Sequence, residues 1–272
     1  MEQRRPRLEG KVALVTGAGS SGPGVGTGKA MSVLFAREGA RVLLVDQLKE
    51  RAEETRTMIR DEGGEVESLE ADVSSGDDCR RIIEAATDRF GRLDILVNNV
   101  GIAGWGTAVD VSEETWDRTM DVNLKSMMLT SKHAIPKMIE GGGGAIVNIS
   151  SLAAWRASPP GALAYSVSKI GVVGLTMSMA LAHAREGIRV NCILPGQINT
   201  PMAAVNLDLS DEAMAARAQM TPLGTPGTAW DIAWAALFLA SDEARWITGV
   251  SLPVDAGTLS ISGVYQPAPV AR

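Results

Sequence analysis

Short apolar runs alternate with longer stretches of mixed polarity along most of the chain. The runs fall at 11–16, 41–45, 65–71, 93–97, 145–149, 189–194 and 250–254, most about five residues long and rich in Val, Ile and Leu. A run that is apolar throughout, rather than at every second position, predicts a strand buried on both faces, as in a parallel sheet. Between the runs, 28–38, 48–62, 77–90, 113–139, 162–184 and 229–239 carry small and apolar residues at helical spacing. Pro136 predicts a kink or a late end in the fourth of these. Strand–helix alternation with right-handed crossovers gives an α/β fold: a doubly wound parallel sheet of about seven strands, covered by helices on both faces in three layers. The stretch 196–226 has no clear period and is expected to be a mobile region. No repeat and no linker divides the chain, so residues 1–272 read as one domain with its core at 10–257. The tail 258–272, with Pro267 and Pro269, reads as a loosely held extension.

Composition narrows the function classes. The chain has 272 residues, 45% of them hydrophobic, enough for a sizeable core. Lys+Arg number 26 against 32 Asp+Glu, a net charge of −6, which leaves no basic footprint for a nucleic-acid backbone. Cys79 and Cys192 have no CxxC partner and no neighbouring His, as expected of unpaired residues in a reducing compartment. With two histidines, a His-based metal site or a Ser-His-Asp triad is disfavoured, so no metal is expected. Residues 1–10 are basic but no apolar stretch follows. The longest apolar run, 170–184, is expected to be too short to cross a bilayer. The expectation is a soluble, cytoplasmic protein.

The first strand runs into Thr16-Gly17-Ala18-Gly19-Ser20-Ser21-Gly22-Pro23-Gly24-Val25-Gly26-Thr27-Gly28. Glycines in a strand-to-helix turn let the backbone approach a pyrophosphate, and the helix N-terminus supplies free N–H groups and a positive dipole end. Lys29 is followed by Ala30, not Ser or Thr, which excludes a phosphate-binding loop of the NTPase type. Asp46 ends the second strand, where a carboxylate can accept both ribose hydroxyls and would repel a 2′-phosphate. Gln47 adds no positive charge, so NAD is favoured over NADP. The alternative for Asp46 is a cap on the helix beginning near Leu48.

Further along, Tyr165 and Lys169 lie four apart on one predicted helix and so share a face. A free phenol titrates near about 10. An ammonium at ~4 Å would favour the phenolate by roughly 4 kcal/mol at an effective dielectric of ~20, lowering that pKa by about three units. Tyr165 would then be poised as a general acid/base near neutral pH. Asp72-Val73 closes the third strand, Asn98-Asn99-Val100-Gly101 the fourth and Pro195-Gly196 the sixth. Asn123 lies within the fourth predicted helix, and Ser150-Ser151 ends the fifth strand.

In this order, these residues resemble the short-chain dehydrogenase/reductase superfamily, its single-domain branch with a Rossmann-type sheet, over roughly Gly10 to Gly257. The resemblance implies a catalytic set of Asn123, Ser151, Tyr165 and Lys169, with Ser150 as the alternative serine. Tyr165 would exchange a proton with the substrate oxygen during hydride transfer between NAD(H) and a secondary alcohol or ketone. Ser151 would hold that oxygen, Lys169 would lower the Tyr165 pKa and bind the nicotinamide ribose, and Asn123 would support a water chain to Lys169. The implied cofactor contacts are Gly17, Gly26, Thr27, Gly28, Asp46, Asp72, Val73, Asn98, Gly101, Ile198 and Thr200, with Tyr165 and Lys169. The segment after Pro195-Gly196 would close over the nicotinamide, with Thr200-Pro201 also able to cap a helix. The chain departs from the family in its glycine turn, where eight residues, Ala18 to Val25, replace the usual three. Which amides meet the pyrophosphate is therefore open, and Ser20 or Ser21 could face the adenosine side. Trp105, Trp155, Met202, Met214 and Met220 suggest an apolar or cyclic substrate, with Arg156 as the anion anchor of the middle loop. The family also implies a homotetramer formed through helices 113–139 and 165–184, where Gly171, Gly174 and Ala180 permit close packing. The other function class weighed is a non-catalytic NAD-sensing or scaffold protein of the same fold.

Overall fold

In a computed structural model, the structure describes residues 5–156, 161–204 and 210–261. In chain order the elements are β1 (Val12–Thr16), α1 (Thr27–Arg37), β2 (Arg41–Asp46), α2 (Lys49–Asp61), β3 (Val66–Glu70), α3 (Gly76–Phe90) and β4 (Ile95–Asn98). There follow α4 (Glu113–Met120), a π-helical segment (Asp121–Lys125), α5 (Ser126–Glu140), β5 (Gly144–Ile149), α6 (Leu163–His183) and β6 (Ile188–Pro195). The last part holds β7 (Ile198–Asn199), α7 (Pro201–Ala204), α8 (Asp211–Gln219), β8 (Gly227–Thr228), α9 (Ala229–Ala240) and β9 (Ser251–Val254).

The main sheet has seven parallel strands in the order β3-β2-β1-β4-β5-β6-β9. Alternate side chains along each strand feed two cores. Ala13, Val15, Val42, Leu44, Ile95 and Val97 pack with α1, α2 and α9, while Val12, Leu14, Leu43, Val45 and Leu96 pack with α3, α5 and α6. Apolar character at every position follows from this burial on both faces. The chain leaves β1 towards β2 on one side and returns to β4 on the other, so the strand order reverses between β1 and β4. In open α/β sheets such a reversal opens a crevice at the carboxyl ends of the strands.

Four expectations need correcting. Pro136 neither ends nor closes its helix, because α5 continues to Glu140. What changes the register of the long helix is the π segment at Asp121–Lys125, which ends well before Pro136. The region 196–226 is not featureless: β7 pairs with β8, and α8 is capped by Ser210, whose hydroxyl accepts the Ala213 N–H. The start of the tail is held as well, since Thr258 is buried and bonds to the Asp255 carbonyl, while 262–272 lie outside the described residues. Lastly, the helical run Leu163–Glu186 is long and apolar enough to cross a bilayer by length and composition. Here one face of it packs on the sheet, with Val172 and Val173 against Cys192 and Leu194 of β6, while Ile170, Met177 and Leu181 on the other face are exposed.

Candidate active site

The strand ends place the glycine turn at the β1/β4 reversal. Gly17 takes φ +61°, and a Cβ on Gly28 would lie 1.9 Å from the Gly17 carbonyl oxygen, so the turn folds back directly onto the first residues of α1. Asn99 straps this arrangement: its Nδ2 donates to the Thr16 and Gly17 carbonyls (3.1 Å each), and its Oδ1 accepts from Thr27 Oγ1 at 2.7 Å. From the other side, Asp46 accepts the Gly19 N–H at 3.1 Å and, through its second oxygen, the Leu48 N–H at 3.1 Å. Asp46 thus closes the turn before α2, as the capping alternative expects, and still keeps a lone pair on each oxygen. Ser20 is buried and accepts the Gly26 N–H at 2.9 Å, so it braces the turn from within rather than reaching outward.

Other positions expected at the cofactor play different parts. The Asn98 side chain points into the core, accepting from Thr130 (2.7 Å) and donating to Asn148 (2.9 Å), so only its backbone remains for a ligand. Neighbouring residues on a strand face opposite sides, which is why Asn99 and not Asn98 reaches the turn. Asp72 accepts from the backbone and side chain of Ser74, and Val73 is buried with its carbonyl taken by the Cys79 thiol. Thr200 accepts the Ala203 N–H at 3.4 Å, capping α7. Ile198 packs against the α1/α9 core.

At the ends of β4 and β5 the four residues of the expected catalytic set converge. Ser151 Oγ accepts the Ala153 N–H at 3.1 Å, and its hydroxyl acts on Tyr165 in the direction that lowers the phenol's pKa. Ser150 is turned inward instead, donating to the Lys169 carbonyl at 2.7 Å, so Ser151 is the serine beside the tyrosine. Lys169 is buried, and its Nζ donates to the Ile149 carbonyl at 3.0 Å and lies 5.6 Å from the centre of the Tyr165 ring. Gly101 makes room for it, since a Cβ there would stand 3.1 Å from Nζ. Asn123, fully buried in the π segment, is engaged by the Ile102 N–H (2.8 Å), the Ile102 carbonyl (2.9 Å) and Ser168 Oγ (3.0 Å). Its amide therefore binds the β4 exit to α6. Ser168 passes the link on by donating to the Tyr165 carbonyl at 2.7 Å.

The electrostatics reverse one expectation. Burial pushes the Tyr165 phenol above its ordinary value, with the Ser151 hydrogen bond working in the opposite direction. Burial also brings Lys169 down to about 8. For both groups withdrawal from water is the largest cause of the shift, and it outweighs any mutual effect. Spacing along a helix sets which side chains meet, but depth in the protein sets how they titrate.

The cleft suits a dinucleotide on its own evidence. Lys169 is a buried amine with one hydrogen bond among the described residues and no carboxylate beside it, so two of its three donors are left for hydroxyls of a ligand. No side chain caps the first turn of α1, which leaves its amides directed at the cleft. Residues 102–108, which include Trp105, are tied to the start of α6, Gly106 N–H donating to the Gly161 carbonyl and its own carbonyl accepting the Leu163 N–H. Trp155 follows one turn after Ser151. Both indoles are 50% exposed. Arg156 donates to the Thr258 carbonyl at 3.2 Å. Met202 and Met220 are exposed, and Met214 lines a groove of about 330 Å³ with Asn199, Ala218 and Pro226.

A seven-stranded doubly wound sheet with a Ser-Tyr-Lys cluster at its switch point defines a class, and comparison with known proteins agrees with it. The family described as enoyl-(acyl carrier protein) reductase matches residues 23–258. The chain belongs to the short-chain dehydrogenase/reductase family and is an oxidoreductase of that family. It is 38% identical to a 3-oxoacyl-(acyl-carrier-protein) reductase of Thermotoga maritima over 251 residues, 92% of this chain and 98% of the relative. It is 39% identical to a 2,5-dichloro-2,5-cyclohexadiene-1,4-diol dehydrogenase of Sphingobium indicum, covering 92% and 97%. A crystal structure described as a short-chain dehydrogenase/reductase from Burkholderia xenovorans superposes with a TM-score of 0.89 at 39% identity, covering 95% of this chain and all of that one. Enzymes of this family work with a nicotinamide dinucleotide.

Asn99 and Ser168 are the residues that sequence reasoning passed over, while Ser20, expected as a candidate for the adenosine side, accepts the Gly26 N–H inside the turn. Asn99 stood beside Asn98 in the same motif and Ser168 directly before Lys169, but only the fold shows which neighbour faces the site.

Proposed function

We propose that this protein is an NAD(H)-dependent dehydrogenase/reductase of secondary alcohols and ketones, with Tyr165 as the general acid/base. The observation that carries the reading is the buried Lys169 amine, 5.6 Å from the centre of the Tyr165 ring, with Ser151 on the same side of the cleft lowering the phenol's pKa. The nicotinamide, when bound, accepts or supplies the hydride. Ser151 and Tyr165 hold the substrate oxygen, and in oxidation the alcohol proton passes to Tyr165 Oη. In reduction the same hydroxyl returns it, so that carbon gains the hydride and oxygen the proton. Donors fixed in place before the reaction stabilise the developing alkoxide without reorganisation. Lys169 would hold the nicotinamide ribose, and its charge would ease the formation of phenolate. Asp46 would take the adenosine ribose hydroxyls and disfavour NADP.

The exposed indoles of Trp105 and Trp155 support an apolar or cyclic substrate, and the diol dehydrogenase relative has a cyclic one by its name. The acyl-carrier reductase relative is as close in identity, so likeness alone does not choose between them. We also take the protein to be a cytoplasmic homotetramer. Met128 and Ile139 on α5 and Ile170, Met177 and Leu181 on α6 are exposed, Leu181 to 87%, on the helices expected to pair. The test is a panel of cyclic and acyclic alcohols and ketones followed by NADH absorbance. Turnover of secondary substrates with NAD(H) supports the reading. Tight NADH binding with no turnover across the panel would favour the non-catalytic alternative. A monomer by sedimentation would remove the tetramer.

A further inference from the structure

The glycine turn of this chain is longer than its family's, and the structure shows what the extra residues touch. Its root is pinned twice, by Ser20 Oγ on the Gly26 N–H and by Asp46 on the Gly19 N–H. Beyond that root the turn leans on Pro201, the first residue of α7. A Cβ on Gly22 would lie 3.7 Å from Pro201 Cβ, and one on Gly24 3.6 Å from Pro201 Cγ. Pro201 is buried although α7 is a single short turn. Val25 from the turn and Ile198 before α7 both pack on the α1/α9 core, so the two segments rise from one floor.

The contact spans a distance that matters. The glycine turn follows β1, while Pro201 follows β6, and β4 and β5 stand between those strands. At the usual strand spacing the two are about 14 Å apart. The chain after β6 therefore passes over the ends of β4 and β5, where Gly101, Ser151 and Tyr165 sit, before it meets the turn.

We propose that the lengthened turn and Pro201 form an apolar clasp across the dinucleotide cleft, which must part for the cofactor to leave. The inference rests on the dinucleotide reading above. A contact without directional bonds suits this use, because it can open and re-form without leaving a polar group unpaired. Gly24, at φ +109°, needs to be glycine for its backbone, whereas Gly22 has no such requirement. Gly22→Ala should add a methyl in ordinary contact with the proline, and Pro201→Gly should remove the ring.

The experiment is stopped-flow displacement of NADH from the whole protein, read by nicotinamide fluorescence. Pro201→Gly should speed release by about three- to tenfold, Gly22→Ala should slow it by about twofold, and Gly22→Ala should have no effect in the Pro201→Gly background. Pro201→Ala, which keeps a restricted backbone, should fall between wild type and Pro201→Gly. Release rates equal to wild type in the single variants, or effects that simply add in the double variant, would overturn the clasp. Failure of the wild-type protein to bind NADH would instead overturn the dinucleotide reading, and the clasp with it.

Discussion

The wall of the cleft that faces the dinucleotide is held chiefly by hydrogen bonds to backbone, whereas the reaction wall buries two groups that titrate. On the first wall, Asn99 and Asp46 fasten the glycine turn to β4 and β2, and Ser20 braces it from within. On the second, Tyr165 and Lys169 are moved off their ordinary pKa values by the loss of water around them. The difference teaches that a binding wall fails when its shape changes, while a catalytic wall fails when its charge balance changes. The two kinds of damage should be separable by measurement.

The largest effect on the first wall should come from Gly28→Ala. The added methyl would sit 1.9 Å from the Gly17 oxygen, so either the turn or α1 must shift. Overpacking of this kind costs about 1–3 kcal/mol or more, and NADH affinity should fall with it. Wild-type melting temperature and affinity in that variant would break the geometric half of the comparison. A smaller change is expected from Asp46→Ala, which removes the charge that opposes a 2′-phosphate. The ratio of NADPH to NADH affinity should rise by about ten- to a hundredfold, measured by fluorescence titration. An unchanged ratio, or a wild-type preference for NADPH, would contradict the role given to Asp46.

The smallest effect sharpens the electrostatic half. Lys169 titrates at about 8 in the folded protein against 10.5 when free, so between those values the unfolded chain binds more protons. Stability contributed by this position therefore rises with pH across that window, at up to about 1 kcal/mol per pH unit. The thiols of Cys79 and Cys192, raised to about 12 and about 11, act in the opposite sense above 9, their ordinary value. Comparing wild type with Lys169→Met by urea unfolding cancels the Cys79 thiol, and keeping the comparison below pH 9 leaves Cys192, whose pKa the Lys169 charge lowers, protonated in both. The variant's advantage at pH 7 should shrink as pH rises past 8, and an advantage that grows would contradict the burial argument.

The same division explains what was legible in the sequence. Strands such as β1 and β2 were readable because burial on both faces demands apolar residues at every position. The glycine turn and the Tyr165/Lys169 spacing were readable because local chain geometry alone brings those groups together. The π segment at Asp121–Lys125 was not, since one extra residue in a helical turn leaves no compositional mark. Nor was the choice of Asn99 over Asn98, which depends on the face each presents at a strand end. The Ser150/Ser151 choice was settled only by the inward bond of Ser150 to α6. The upward shift of Tyr165 lay beyond reach because it comes from depth, and depth belongs to the whole fold.

The most direct trial of this account is turnover by Tyr165→Phe beside wild type on one secondary alcohol, with NADH affinity measured separately. On the proposed mechanism, in which the phenol exchanges the proton and the glycine turn holds the dinucleotide, loss of the hydroxyl should lower kcat by about a thousandfold while leaving NADH affinity within about threefold. A variant that keeps wild-type kcat would show that the proton travels through some other group.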